Sequence, residues 1–204
     1  MTLANEGVSV TRTTGHNITA SQLAFFCQCY TATYLKRSGH TGYLNTAFFE
    51  ALLASLCENM MLVTAHKEGV PIASALFFFD ETGLYGRYWG SLYPVDGLHF
   101  ECCYFQGIEF AIDNNLPLFN PGTQGEHKIL RGFEPIYCFS QHILFHPAFH
   151  RAVGDFLQRE TPAVEAYFNQ ARDALPFNQA FMNKRSVKKL SDMLADTTTT
   201  RNHK

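Results

Sequence analysis

Residues 60–90 read MMLVTAHKEGVPIASALFFFDETGLYGRYWG, and this stretch holds three apolar runs separated by two short polar breaks. The runs at 60–66, 70–79 and 84–89 are rich in the β-branched and aromatic residues that favour strands. The breaks at 67–69 and 80–83 combine glycine with charged residues, which is typical of tight turns. Strands joined by such short turns run antiparallel, so the stretch predicts an antiparallel meander.

Helical patterns lie on both sides of this meander. Ser21 is placed to cap a helix that ends near residues 38–39, and Thr46 begins a second helix with apolar positions at helical spacing. After the meander, residues 99–114 show the same spacing and predict a third helix. Helices on both sides of such a sheet predict the α/β (α+β) class, with a mixed, largely antiparallel central sheet flanked by helices.

The rest of the chain alternates between apolar and polar segments. Residues 116–119 and 136–145 predict two further strands, separated by a polar loop over 120–132. Pro147 suits the first turn of a helix that runs to about Gln158, and residues 161–174 predict another helix. These patterns divide the chain into a flexible leader (1–19), one domain (20–177) and a helical or disordered tail (178–204).

Composition limits the classes of function. The chain has 204 residues, 46% of them hydrophobic, a net charge of −2 and a pI near 6.5, so nothing favours nucleic acid as the main partner. The first residues lack the apolar core of a signal peptide, and the longest apolar run, 72–79, is too short for a membrane span. We therefore expect a cytoplasmic protein. The six cysteines lie mostly in apolar segments, which favours reduced, buried thiols over disulfides.

The densest group of polar residues lies in the loop GTQGEHKILRGF, residues 122–133. Glu126 and His127 are candidate general bases, because histidine titrates near neutral pH and burial raises a glutamate toward that range. Lys128 and Arg131 are suited to binding phosphate or carboxylate groups. Gln124 and Gly125 are the other candidate binding residues. The alternative is that Glu126 simply pairs with Lys128 or Arg131 on a solvated loop.

Arg87 is a charged residue in the middle of a predicted strand. Strand alternation would place Tyr85, Arg87 and Trp89 on one face, where Arg87 either contacts an anionic ligand or pairs with Glu101 or Glu109.

Two histidine patterns resemble metal sites without meeting their requirements. His99 and Glu101 precede two adjacent cysteines, but a companion C-x-x-C is missing and neighbouring cysteines on a helix point apart. His142, His146 and His150 recur every four residues, but Pro147 interrupts the helix that would align them. We therefore predict no metal site, with His142, His146 and His150 as surface histidines.

Three segments resemble a known bacterial family: LYGRYWG (84–90), HFECCYFQGIEFAI (99–112) and NPGTQGEHKILRGF (120–133). They are similar to the signatures of the FemAB-like (peptidoglycan biosynthesis/recognition) family of the GNAT acyltransferase superfamily. The resemblance extends over about residues 16–177. Members are about twice as long, with two tandem halves, and the chain resembles only the C-terminal half.

The resemblance implies a GNAT fold and transfer of an acyl or aminoacyl group to an amine. The donor, acyl-CoA or aminoacyl-tRNA, would bind where two strands part, beside the strand at 84–90 and the helix that follows it. Arg87, Trp89, Gly90, His99 and Glu101 are then the candidate donor-binding residues, and no tightly bound cofactor is expected. The loop at 91–97 lacks the Q/R-x-x-G-x-G/A signature of the superfamily, which argues against ordinary acetyl-CoA binding.

Two classes of function therefore remain open. The first is a transferase acting on a small molecule or cell-wall precursor. The second is a non-catalytic module of the same fold that recognises peptidoglycan or forms dimers, either with itself or with a separate N-terminal half. Binding to tRNA is compatible with the first class, although the net charge does not favour it.

Overall fold

The structure, a computed structural model, describes residues 6–122 and 125–183. The chain divides into two compact units, Met1–Thr123 and Gln124–Lys204. The predicted single domain over 20–177 thus spans parts of both units.

The first unit is built on a five-stranded sheet in the order β1-β2-β3-β4-β5. Its strands are β1 (Val8–Thr14), β2 (Met60–Lys67), β3 (Val70–Asp80), β4 (Gly83–Ser91) and β5 (Phe119–Asn120). Strands β1 to β4 pair antiparallel, and β5 joins β4 in parallel. The meander and the mixed, largely antiparallel sheet that the sequence predicts are confirmed.

Helices cover both faces of this sheet. They are α1 (Ala20–Ser38), α2 (Thr46–Leu56) and α3 (residues 98–113). Thr19, rather than Ser21, caps α1, because its hydroxyl accepts from the Gln22 N–H while the Gln22 side chain accepts from the Thr19 N–H. Helix α3 is α-helical at Leu98–Phe100, π-helical at Glu101–Phe105 and α-helical again at Gln106–Asp113.

Strand alternation separates the core into two clusters. On one face Leu62 and Leu76 pack with Phe26 of α1 and Phe49 of α2. On the other face lies a cluster that includes α3. Its strand members include Met61, Val63, Ala65, Ala75 and Phe77, and its α3 members include Leu98, Cys102 and Phe110. Because β2 and β3 are buried on both faces, they carry nearly continuous apolar sequence rather than alternating apolar and polar residues.

Strand β1 corrects the expectation of a flexible leader over 1–19. Every residue of β1 pairs with β2, from Val8 opposite Lys67 to Thr14 opposite Met61. The Arg12 side chain also bonds to α3, with its guanidinium 3.2 Å from the Asp113 carboxylate. The sequence VSVTRTT is polar enough to resemble a loop, yet it suits a strand at the edge of a sheet that pairs on one side only.

The second unit contains a 3-10 helix at Glu126–Arg131, helix α4 (Pro147–Asp173) and helix α5 (Gln179–Asn183). Tyr137 stacks on Phe168 of α4, with ring centroids 4.2 Å apart and planes 12° from parallel. The strand predicted at 136–145 is wrong, since that segment has no regular structure. A strand requires a hydrogen-bonding partner, and the described residues provide none for this segment.

Helix α4 is continuous where the sequence predicts two helices. Pro162 lies inside it and has no N–H to donate to the preceding turn. The neighbouring Thr161 hydroxyl donates to the Leu157 carbonyl at 2.8 Å. The proline therefore lies inside the helix rather than at the start of a new one.

The predicted tail over 178–204 contains α5 and then lies outside the described residues from 184 onward. Within the described ranges, no helix combines the length and apolar character needed to span a membrane. All six cysteines are described, and no disulfide joins any of them.

Candidate functional site

The edge of β4 that faces β5 is paired over only part of its length. The parallel pairing consists of Leu84 opposite Phe119 and Tyr85 opposite Asn120. Strand β5 ends at Asn120, whereas β4 continues to Ser91. Residues 86–91, called here the β4 edge segment, therefore extend beyond the pairing with β5. This is the region where the family resemblance places an acyl donor.

A β-bulge lies at the start of the β4 edge segment. Leu76 of β3 pairs with Tyr88, but the next residue, Phe77, pairs with Gly86, so Arg87 is the extra residue on β4. The bulge shifts the alternation by one residue. Tyr85 pairs with Phe78, and Trp89 pairs with Ala75, three residues away along β3, so Tyr85 and Trp89 lie on opposite faces. The prediction that Tyr85, Arg87 and Trp89 share a face is therefore wrong.

Arg87 has an exposed side chain. Its guanidinium carbon lies 5.6 Å from the centroid of the Tyr88 ring, a cation–π arrangement. In the described part of the chain it forms no salt bridge; Glu109 instead lies 3.9 Å from Arg12. The structural ion pair that the sequence left open as an alternative is thus not formed.

The side chains of Trp89 on β4 and of His99 in the first turn of α3 are in contact. Their ring centroids are 5.4 Å apart with planes at 65°, an edge-to-face contact. His99 also contacts Tyr104 in the same manner at 5.3 Å. Both Trp89 and His99 are partly exposed. The structure therefore combines an aromatic surface and an imidazole beside the β4 edge segment, two features that suit a flat or polar ligand group.

Gly90 has a packing role. A Cβ atom at this position would lie 2.0 Å from the Cys29 carbonyl oxygen and 2.8 Å from the Thr33 hydroxyl. Helix α1 therefore crosses β4 at this glycine, and no side chain fits between them. The sequence places Gly90 among the candidate donor-binding residues, but the space next to its Cα atom is occupied by helix α1 of the protein itself.

Glu101 lies in the π-helical part of α3. Its Oε1 accepts a hydrogen bond from Gln106 Nε2 at 2.8 Å. Cys102, the next residue, is buried in the core, and burial raises the pKa of its thiol to about 12. A π-helical segment is rare and often lies near a functional site, so its position is compatible with a site at this end of α3.

The second group of predicted residues lies in the second unit. Gly125 adopts a φ of +110°, and a Cβ atom there would lie 2.4 Å from the His127 ring, so the imidazole lies close over this glycine. The Arg131 guanidinium donates to the His127 carbonyl at 2.7 Å. Glu126 is exposed. Gln124 lies outside the described residues.

Burial lowers the pKa of His127 from its ordinary value of 6.5, and the positive charges of Lys128 and Arg131 lower it further. The imidazole is therefore neutral at physiological pH and has a lone pair available to accept a proton. This protonation state is the one that a general base requires.

The predicted site residues thus form two groups, one in each unit. Trp89 and His99 are in contact, and Glu126, His127, Lys128 and Arg131 share one short helix that Gly125 precedes. The role of each in binding or catalysis stays a prediction. Sequence reasoning missed a third group, His16, Cys57 and Glu58, because their proximity depends on β1, which the sequence did not predict.

Solved structures with a similar fold include acetyltransferases. A possible acetyltransferase from Clostridium difficile 630 is 13% identical, covers 69% of this chain and 100% of its own, and gives a TM-score of 0.51. At this identity the likeness shows the fold alone, which is that of the GNAT acetyltransferases.

Two further structures resemble the chain more weakly. An aminoglycoside acetyltransferase from an uncultured soil metagenomic sample is 10% identical over 70% of this chain and 97% of its own, with a TM-score of 0.47. A ribosomal-protein-alanine N-acetyltransferase from Brucella melitensis biovar Abortus 2308 is 10% identical over 68% and 99%, with a TM-score of 0.43.

No curated protein matches the chain. A family model does match it, however, over residues 1–179, and the family is described as peptidoglycan biosynthesis/recognition. This match covers all five strands and the candidate residues of both units. The chain belongs to the FemAB-like family.

Proposed function

We propose that this chain is a transferase domain that moves an acyl or aminoacyl group from an activated donor to an amine. The observation that carries the proposal is the β4 edge segment, where a bulge at Arg87 coincides with the end of the pairing between β4 and β5. The family and the fold support it. The acceptor that we propose is a small molecule or a cell-wall precursor with a free amine.

Acyl transfer makes three chemical demands on the protein. The amine nitrogen attacks the donor carbonyl carbon, a C–N bond forms, and the bond to the leaving sulfur or oxygen breaks. The amine must lose a proton to a base, and the carbonyl oxygen must be stabilised while it carries negative charge. The donor must also be held in line with the amine.

The β4 edge segment supplies groups for the donor. Beyond Tyr85 its backbone has no strand partner on the β5 side within the described residues, so its N–H groups on that side are suited to a carbonyl oxygen. Arg87 is exposed and suits a phosphate or carboxylate. Trp89 and His99 present rings against which a flat group would pack.

His127 is the base that we propose, with Glu126 as the alternative. Its lowered pKa keeps it neutral and able to accept the proton of the amine. Lys128 and Arg131 are the proposed anion-binding residues of the same short helix. The donor is a thioester of the acyl-CoA type or an aminoacyl ester of tRNA. We also propose a cytoplasmic location, which the absence of disulfides supports.

A donor panel tests this proposal. The purified chain is incubated with acyl-CoA thioesters or aminoacyl-tRNA and with peptidoglycan stem peptides carrying a free amine, and mass spectrometry detects the acylated product. We expect product with one donor class and a loss of rate of about 100-fold in His127→Ala. His150→Ala, which removes an exposed histidine of α4, is the matched control. Absence of transfer from every donor would overturn the proposal for this chain.

Arg87→Ala separates donor binding from proton transfer. If Arg87 holds an anionic donor, the variant raises the KM for the donor by about 10-fold while the pH dependence of the rate is unchanged. Arg151→Ala, another exposed arginine, is the control. An unchanged KM would remove Arg87 from the donor site.

A non-catalytic recognition module is the second candidate, and one observation favours it. The second unit exposes many large apolar side chains, including Ile143 at 80% and Phe145 at 92% exposure. Such residues are typical of surfaces that bind a partner. Binding of peptidoglycan fragments or a stable dimer, without turnover of any donor, is the result that supports this candidate over the transferase.

A further inference from the structure

Three side chains with metal-binding atoms meet at one end of the sheet, away from the β4 edge segment. They are His16, Cys57 and Glu58, and one ligand atom from each lies within 4.8 Å of the others. His16 Nε2 is 2.6 Å from Glu58 Oε1. Cys57 Sγ is 3.4 Å from His16 Nδ1 and 3.9 Å from Nε2.

The sheet itself brings these residues together. His16 lies in the 3-10 turn Gly15–Asn17, directly after β1, and the other two lie in the 3-10 turn Cys57–Asn59, directly before β2. Because Thr14 pairs with Met61, the end of β1 and the start of β2 are adjacent, and so are the two turns. The cluster therefore depends on strand pairing rather than on closeness in sequence.

Both turns are held in place by hydrogen bonds outside the cluster. The first is closed by the Ile18 N–H donating to the Gly15 carbonyl at 3.1 Å. The second is tied to β3, where the Asn59 amide donates to the Phe79 carbonyl at 2.9 Å. The three side chains thus project from a fixed backbone, which reduces the entropy lost when a ligand orders them.

We propose that His16, Cys57 and Glu58 form a binding site for a zinc-class divalent cation. A thiolate, an imidazole and a carboxylate are the ligand types that Zn²⁺ takes, whereas Mg²⁺ and Ca²⁺ require oxygen ligands. The thiolate and the carboxylate together balance the charge of the ion. Three protein ligands leave the fourth tetrahedral position for water.

The two distances from His16 Nε2 need only small adjustments to suit such an ion. With ordinary zinc bond lengths, tetrahedral geometry separates a sulfur and a nitrogen ligand by about 3.6 Å, and a nitrogen and an oxygen ligand by about 3.3 Å. Cys57 Sγ and His16 Nε2 would approach slightly, and His16 Nε2 and Glu58 Oε1 would part. The imidazole and the carboxylate are 81% and 71% exposed, so they have room to move.

Binding would replace the contacts within the cluster with three bonds to the metal. The interaction of His16 with Glu58 and the contact of Cys57 with His16 are lost. The Cys57 thiol and His16 Nε2 each release a proton to solvent, so that a thiolate sulfur, an imidazole lone pair and a carboxylate oxygen bind the ion. The ion would then join the turn between β1 and α1 to the turn between α2 and β2. Because the unfolded chain does not hold the three ligands together, metal binding stabilises the folded state.

The test uses the full chain, reduced and free of any affinity tag. Zn²⁺ binding is measured by calorimetry, and Co²⁺ serves as a spectroscopic probe because a cobalt–thiolate bond absorbs in the near ultraviolet. We expect one ion per chain with a micromolar Kd and a rise in Tm of about 5 °C at saturating Zn²⁺. No binding of Zn²⁺ below about 100 µM would overturn the proposal.

Three variants and a control assign the ligands. Cys57→Ser, His16→Ala and Glu58→Gln each weaken Zn²⁺ binding at least about 10-fold, and Cys57→Ser abolishes the cobalt–thiolate absorption. Cys138→Ser removes an exposed thiol of the second unit and leaves both readouts unchanged. Wild-type affinity in Cys57→Ser, or loss of the absorption in Cys138→Ser, would overturn the assignment.

A spectroscopic measurement on the wild type covers the case in which a variant does not fold. The chemical shift of ¹¹³Cd²⁺ depends on how many sulfur ligands the ion has. We expect the shift of a site with one sulfur ligand, with coupling to the Cys57 β-protons. A shift typical of oxygen ligands alone would mean that the cysteine does not bind, and the proposed site would be wrong.

Discussion

The two units of the chain differ in how they bury apolar side chains. In the first unit the sheet is covered on both faces, and residues such as Phe26, Phe49 and Leu62 are wholly buried. Among the described residues of the second unit, only Phe168 and Leu175 are buried hydrophobic residues. Both units are rich in phenylalanine. The comparison shows that apolar composition predicts a core only where strands or helices provide opposing faces to bury it.

The largest expected effect tests the core of the first unit. Phe26→Ala removes a wholly buried ring that contacts Phe49 edge-to-face at 5.1 Å. We expect a loss of about 3–5 kcal/mol in the free energy of unfolding, because the cavity cannot close. Urea denaturation followed by circular dichroism measures it. A loss below about 1 kcal/mol would show that this core is looser than its burial indicates.

The next effect tests the crossing of α1 over β4. Gly90→Ala places a methyl group against the Cys29 carbonyl, a backbone atom that cannot rotate away. We expect a loss of about 2–4 kcal/mol from displacement of the helix. Gly154→Ala is the matched control, since nothing lies within 4 Å of a Cβ atom there. Equal stability of the two variants would contradict the close packing of α1.

A smaller effect is expected in the second unit. Phe168→Ala removes the stacking contact with Tyr137, and we expect a loss of about 1–2 kcal/mol. Phe145→Ser, at a site that is almost fully exposed, should change stability by less than about 0.5 kcal/mol. Hydrogen exchange of the α4 amides reports both changes. If Phe145→Ser lowers stability as much as Phe168→Ala does, the two units do not differ in how they bury apolar side chains.

The smallest effect concerns the charge of His127. Because its pKa is lowered in the folded chain, protonation opposes folding. This loss of folding stability is absent well above pH 6.5. It begins as the pH falls through the pKa that His127 has in the unfolded chain, and it is complete below the pKa in the folded chain. Arg131→Ala removes one positive charge and should raise the pKa, as an NMR titration of the imidazole would show. A lower pKa in the variant would contradict this account.

The sequence predicted the parts of the fold that depend on local signals. The turns at 67–69 and 80–83 carry glycine beside polar residues, and both connect antiparallel strands as expected. Helix α2 begins at the predicted residue and helix α1 begins within two residues of the predicted position, because their caps are local signals as well.

The failures share a different cause. The strand predicted at 136–145 has suitable residues but no partner, while β1 has a polar sequence and a complete partner. The bulge at Arg87 depends on how β3 and β4 align, which alternation within one strand does not reveal. In each case the structure was determined by the presence, absence or alignment of a partner strand elsewhere in the chain.

In the candidate site, too, local signals identify residues, whereas the contacts between them depend on the fold. Each residue was identified by its type and by the family resemblance. Arg87 and Glu126 are exposed, and their roles stay predictions. The contact between Trp89 and His99 requires the packing of α3 against β4. The cluster of His16, Cys57 and Glu58 requires β1 to pair with β2. Neither arrangement has a signal in the local sequence.

Strand β1 has a practical consequence for producing this protein. It covers the outer edge of β2, whose residues Met60–Lys67 include MMLVTA, an apolar run with no charge and no proline. A chain begun at residue 20, the predicted domain start, would leave that row of backbone groups open to the same strand of another molecule. Such an edge is a template for intermolecular pairing and fibrous aggregation. Strand β1 therefore protects this edge from pairing with another molecule. We expect truncation of the N-terminus to reduce solubility before it destabilises the core.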